Sequence, residues 1–186
     1  MSNTCMIVIV EFDCDILDHF DVPQWNEFMG KLTQRGMTPI NWAHGKRPAP
    51  VGVSFDFRHL KKTCARLQGI DLTFCDLEGA DFTGSNLQGA KFGSCPHACF
   101  KYCWLELVCF QGNISGCQFT SDGTGLEDAD FSKAYYSEKD PPTGLPPEIL
   151  ATCEILPDAP DTPADWPPVI VEKTLQAKIT IHEVPW

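Results

Sequence analysis

Ten cysteines and five histidines among 186 residues are the side chains with the most chemistry to offer. Thiols and imidazoles bind soft metals and run redox or acid–base reactions when they converge. His97 and Cys99 are separated by one residue, and Cys109 follows in the same region. A tetrahedral zinc site needs four convergent ligands, and this pair supplies two at an unusual spacing. His97, Cys99 and Cys109 are therefore the metal- or redox-responsive candidates, set against a purely structural role for the thiols. Catalysis has less to build on. His19, His44, His59, His97 and His182 sit in five different segments, with no recognisable nucleophile or paired carboxylate beside them. There is no glycine-rich phosphate loop, because Gly84, Gly89 and Gly93 read as turn positions. The chain is expected not to be an enzyme, and no cofactor is implied.

The elements that carry these side chains follow a five-residue period. A large apolar residue recurs at Leu67, Leu72, Leu77, Phe82, Leu87 and Phe92, then at Phe100, Leu105, Phe110, Phe119, Phe131 and Tyr136. Two places before each stands an inward partner, small at Ala65, Cys75, Ala80, Ser85, Ala90, Ala98, Cys103, Cys117 and Ala129, with Cys95 assigned to the same kind of slot. Helices repeat their buried face every 3.6 residues and strands every 2, so neither keeps such positions aligned. A solenoid with four sides of five residues does, with twenty residues per coil. Leu72 would then stack on Phe92, and Cys75 on Cys95. Cys75, Cys95, Cys103 and Cys117 fall inward, where a free thiol behaves as a compact apolar group.

The units Ala80-Asp81-Phe82-Thr83-Gly84, Ser85-Asn86-Leu87-Gln88-Gly89 and Ala129-Asp130-Phe131-Ser132-Lys133 resemble the pentapeptide-repeat family, whose pattern is Ala-(Asp/Asn)-Leu-x-x. Ala134-Tyr135-Tyr136 followed by Gly144-Leu145-Pro146 is similar to the exit from the repeat in many members. The resemblance implies an all-β fold, a right-handed quadrilateral β-helix of about four coils at the strand spacing of about 4.8 Å. His97 falls where a large residue is due, the phase slips after Cys95, and Thr120 to Asp128 breaks the pattern. These departures read as a deletion within a coil and a protruding loop.

The flanks are expected to cap the ends of so short a stack. Residues 1–50 form an N-terminal cap of strand, helix and loop. Met6–Val10 reads as a buried strand. Asp21 and Gln24 make a capping box with Pro23 in the first turn, and Trp25, Phe28, Met29 and Leu32 keep helical spacing until Gly36. Residues 51–138 form the β-helix, entered through alternating Val51, Val53, Phe55 and Phe57. Residues 139–168 are a proline-rich acidic segment expected to be extended or to wrap the surface, and residues 169–186 read as strands that pair with the N-terminal strand or add to a coil edge.

No basic residue precedes Met6–Val10 and acids follow it, which is a poor signal peptide; a cytoplasmic protein without disulfides or membrane contact is expected. A formal charge of −11 argues against direct nucleic-acid binding. Some members of the family resemble duplex DNA and bind type II topoisomerases such as gyrase, which needs acids aligned along a rod. Here Asp71, Asp76 and Asp81 fall on three sides, and Lys91 and Lys101 would stand one coil above Asp71 and Asp81. The expectation is a non-enzymatic interaction or scaffold module with an unidentified protein partner, as a monomer or end-to-end dimer. The alternatives are a DNA-mimicking topoisomerase regulator and a metal- or redox-responsive protein.

Overall fold

In the computed structural model, residues 4–12, 22–36, 38–39, 51–120, 125–156, 171–174 and 177–185 are described. The five-residue units stack as parallel rungs on four ladders. One ladder runs Lys61, Asp81, Cys99, Gln118, Thr143, and the next runs Arg66, Asn86, Trp104. The third runs Asp71, Lys91, Cys109, Asp130, and includes β4 (Asp71–Leu72), β6 (Lys91–Phe92) and β7 (Cys109–Phe110). The fourth includes β3 (Val51–Asp56), β5 (Cys75–Asp76), β8 (Tyr135–Ser137) and β9 (Glu154–Leu156). The fold is of β-helix type, assembled from short strands in small sheets.

Phenylalanine fills the axis. Phe82, Phe100 and Phe119 stack face to face up the first ladder, with centroids 5.5 and 5.3 Å apart. Phe92, Phe110 and Phe131 stack up the third, at 5.0 and 4.7 Å. The two columns meet edge to face, as between Phe92 and Phe100 at 5.1 Å, the arrangement ring quadrupoles favour. Leu67, Leu87 and Leu105 are buried on the second ladder, and Leu77, Ile114 and Tyr136 on the fourth.

The slot two places earlier takes Ala, or a Ser or Cys whose donor is used. Ser85 Oγ donates to Lys62 O, Cys103 Sγ to Phe82 O at 3.0 Å and Cys117 Sγ to Cys95 O at 3.0 Å, each reaching a carbonyl of the preceding coil. A buried donor satisfied in this way carries no desolvation penalty.

Several expectations are corrected. Asp81 lies under Cys99, not Lys101, and Leu77 N–H donates to Ser94 O. Two residues are therefore missing between Phe92 and Cys95. Cys95 takes the large position over Leu77 rather than the small slot over Cys75, and His97 occupies the turn position held by Gly79 one coil earlier, with φ 59°. Glycine makes the shortened corner possible. A Cβ at Gly93 would lie 2.3 Å from Thr73 O, and one at Gly112 2.6 Å from the Gly93 carbonyl carbon. Gly93 is thus a point of backbone contact and lacks the positive φ of Gly84 and Gly89. The stack also passes the expected boundary at residue 138: Thr143 joins the first ladder and β9 the fourth. Pro147 starts a short helix, α2 (Pro147–Leu150), whose Ile149 and Leu150 pack on the core with Leu145, so this part wraps the stack rather than running extended. The remainder of that segment, residues 157–168, lies outside the described residues, as do Asp21 of the capping box, the loop 40–50 and Ser121–Thr124 of the interruption.

The N-terminal end of the stack is covered. β1 (Thr4–Phe12) pairs in parallel with β3 and antiparallel with β11 (Ala177–Pro185). β2 (Thr38–Pro39) and β10 (Val171–Thr174) complete this sheet at its two sides. Because β3 also pairs with β5, the sheet is continuous with the fourth ladder. Over the third ladder lies α1 (Val22–Gln34), with Trp25, Met29 and Leu32 buried. Asn26 substitutes there for a strand. Its Oδ1 accepts from Asp71 N–H at 2.8 Å, its Nδ2 donates to Gly69 O at 2.7 Å, and Trp25 Nε1 donates to Asp71 O at 2.6 Å.

Asn26→Ala leaves two backbone groups of this edge unpaired, at about 1–3 kcal/mol each where water cannot replace the amide. Chemical denaturation should show a lower midpoint with an unchanged slope; an unchanged midpoint would show that the edge needs no cap.

Candidate functional site

The acids that decorate the repeat are tied into it. In each case the carboxylate or amide oxygen one place before the large residue accepts the backbone N–H two places on. The bonds are Asp71 to Thr73 at 3.0 Å, Asp76 to Glu78 at 3.2 Å, Asp81 to Thr83 at 3.0 Å and Asp130 to Ser132 at 2.9 Å. Asn86 and Asn113 do the same for Gln88 and Ser115. Such Asx turns are the physical reason for Asp or Asn at this position. The Thr83 hydroxyl and N–H hold the Asp81 carboxyl below its ordinary range, and Ser132 does so for Asp130.

The first and third ladders also mix signs, placing Lys61 beside Asp81 and Asp71 beside Lys91. Each of these ladders sets one lysine next to an acid; the first continues through neutral residues and the third through Cys109 to Asp130, so neither forms an acidic column.

The candidates His97, Cys99 and Cys109 are not brought together. The His97 ring faces Asp140, with Nδ1 3.6 Å from Oδ2. Cys99 lies on the first ladder with its Sγ 3.3 Å from Thr83 Oγ1. Cys109 is two ladders away, its Sγ 3.8 Å from Asp130 Oδ2. Among the described residues no group of three or more His, Cys, Asp or Glu is placed to hold a metal.

Cys75, Cys95, Cys103 and Cys117 are groups of the interior, whereas Cys64 is exposed. Burial pushes Cys75 and Cys95 well above the ordinary thiol range and Cys103 up to about 12. Burial also raises Cys109, with the Asp130 charge adding to it. A thiol held neutral is a poor nucleophile and a poor metal ligand.

The twelve large positions are all buried, from Leu67 at 6 % to Phe82, Leu87 and Phe92 at 0 %. Ala65 and Ala129, at the two ends of the series, are half-buried, while Cys75, Ala80, Ser85, Ala90, Cys95, Ala98, Cys103 and Cys117 are buried. Several core residues escaped the sequence pattern, Leu60, Phe74, Ile114, Leu126 and Cys153 among them. Ile114 follows the shortened corner at Gly112, and Leu126 lies beyond an insertion after Phe119.

Residues 63–95 match the family model described as Pentapeptide repeats (8 copies). The chain carries pentapeptide repeats. The match ends at Cys95, the first residue after the two-residue deletion, whereas the repeat-like ladders continue to β9. No curated protein and no solved structure matches the chain. Among the described residues no helix is long and apolar enough to cross a membrane.

Two measurements check this account of the repeat. At mildly alkaline pH in native buffer, iodoacetamide should label exposed Cys64 and spare Cys75, Cys95, Cys103 and Cys117 until denaturant is added. Peptide mapping that finds those four modified early would remove them from the core.

The pH dependence has a definite sign. Asp81 has a lowered pKa when folded, so its contribution is complete above the unfolded value of about 3.9 and is lost as pH falls through the folded value. Asp81→Asn keeps an acceptor for Thr83 but removes the titration, so its stability should fall less steeply in acid. Equal acid slopes for the two proteins would show that Asp81 has no such linkage.

Proposed function

We propose that the chain is a non-enzymatic protein–protein interaction or scaffold module on a right-handed quadrilateral β-helix of about four coils, the count suggested by the four steps from Lys61 to Thr143. The observation that carries this reading is the division of labour between inside and outside. Stacked rings occupy the axis, the inward thiols of Cys103 and Cys117 are hydrogen-bonded to backbone carbonyls, and burial holds Cys103 neutral. Chemistry with a partner is therefore left to the outer faces and the flanking elements.

The partner is another protein rather than nucleic acid, in keeping with the formal charge of −11. The module acts in the cytoplasm as a monomer or an end-to-end dimer. Mixed signs on the first and third ladders weigh against mimicry of duplex DNA. Separation of His97, Cys99 and Cys109 weighs against metal or redox sensing.

Affinity capture of the tagged full chain from its native lysate, with cross-linking and mass spectrometry, tests the reading. The expected result is a stoichiometric protein partner cross-linked to an outer face. Its control should reverse Lys61 and Lys91, because Asp71, Asp76 and Asp81 accept backbone N–H groups and their reversal would damage the fold. Absence of any enriched protein would overturn the interaction reading. A type II topoisomerase as partner, with supercoiling inhibited, would replace it by the DNA-mimic alternative.

A further inference from the structure

The second ladder changes character in one coil. At Arg66 and Asn86 it carries polar side chains flanked by turn positions with small residues: Cys64 and Gly69 in one coil, Gly84 and Gly89 in the next. One coil further on, the same positions hold Tyr102, Trp104 and Leu107, exposed at 70, 60 and 64 %. Three large apolar side chains thus stand out from one coil on one face. Scattered exposed hydrophobes need no explanation, but a contiguous set does.

Backbone conformation adds a second, independent observation. Tyr102 and Leu107 have φ of 59° and 58°, the left-handed region that Gly84 and Gly89 occupy one coil earlier at 71° and 66°. A side chain with a Cβ is strained there by about 1–2 kcal/mol. Glycine would serve the turn better, so the bulky residues at these two sites lower stability and gain nothing from burial.

The charge around the patch defines what would cover it. Glu106 precedes Leu107 on this face, and one of its carboxylate oxygens is buried without a hydrogen-bond partner. Leu107 N–H donates to Glu127 O, which brings exposed Glu127 and Asp128 into the coil directly above. Lys101 precedes Tyr102 in its turn as Glu106 precedes Leu107, and Arg66 lies two rungs below Trp104, so three carboxylates stand here against one adjacent ammonium. Exposed indole and phenol faces rimmed by three carboxylates match a guanidinium or ammonium carried on an apolar stem.

We propose that Tyr102, Trp104 and Leu107, with Glu106, Glu127 and Asp128 at their rim, are the docking face for an arginine- or lysine-bearing segment of a partner protein. This rests on the interaction-module reading above and narrows it to one face of one coil. The cation lies over the Trp104 ring, the apolar stem covers Leu107, and the carboxylates set the sign of the partner.

The test uses the full chain and a short labelled peptide of alternating arginine and leucine, beside a peptide with glutamate for arginine, at physiological ionic strength. Fluorescence anisotropy should show saturable binding of the arginine peptide and none of the glutamate peptide. Trp104→Ser should weaken binding about tenfold, as expected for loss of an aromatic anchor. Tyr102→Gly separates the docking role from a structural one: it should weaken binding while raising the melting temperature, because it relieves the strained turn. Binding that is absent, indifferent to both variants or equal for the two peptides overturns the proposal. A concentration-dependent dimer dispersed by Trp104→Ser would assign the face to a second copy of this chain and also overturn it. A native partner retained by the Trp104→Ser protein would overturn this face while leaving the interaction-module reading intact.

Discussion

Register between coils is the constraint on which the rest of the structure depends. Phenylalanines from alternate sides stack in two columns, and the columns interlock edge to face. A ring displaced by one residue would leave its own column and break the contact with the other. Lengthening and shortening of the repeat are therefore confined to corners, where the chain passes between ladders. The deletion before Cys95, the shorter turn before Ile114 and the insertion after Phe119 all leave the phenylalanine rungs aligned.

The same requirement explains the glycines at the tightened corner and the donors in the small slot. Removing two residues after Phe92 draws Gly93 against Thr73 O, and Gly112 against Gly93 in turn. Only a residue without Cβ accommodates that approach. Where space beside the axis remains for a heavier atom than a methyl, Ser85, Cys103 and Cys117 place a donor against a carbonyl of the coil before. The chain's wealth of cysteine is in this part a packing feature with an internal hydrogen bond, and burial keeps Cys103, like Cys75 and Cys95, protonated and chemically quiet.

A stack of this kind has open edges, which invite uncontrolled pairing unless they are covered. At the N-terminal end the cover is twofold. β3 merges the fourth ladder into a sheet, and Asn26 with Trp25 satisfies the backbone of Asp71 on the third. Toward the other end, β9 adds a rung over β8 while α2 lays Ile149 and Leu150 against the core. With interior and N-terminal edge so occupied, the outer faces differ mainly in what their side chains are already doing. Acids at the Asx turns are engaged with their own backbone, whereas Tyr102, Trp104 and Leu107 are not spent on the fold.

Much of this was determined by the sequence alone, because period and residue size are local properties. The twelve large positions, the inward thiols at Cys75, Cys103 and Cys117, the stacking of Leu72 on Phe92 and the helix around Trp25 and Met29 follow from spacing and from the volume available beside an axis. Only the tertiary structure decided which residue of one coil faces which of the next once the period broke. A sequence records that residues are missing between Phe92 and Phe100 but not at which corner, so Cys95, His97, Ile114 and Leu126 could not be placed until coil-to-coil hydrogen bonds fixed the register. The exposed trio was half legible: with Phe100, Cys103 and Leu105 inward, the period puts Tyr102, Trp104 and Leu107 outside, and only the ladders show that they share one face. Tyr102 and Leu107 stand at the left-handed turn that recurs two residues after the large position, as at Gly84 and Gly89, but what neighbours them across coils is set by the stacking.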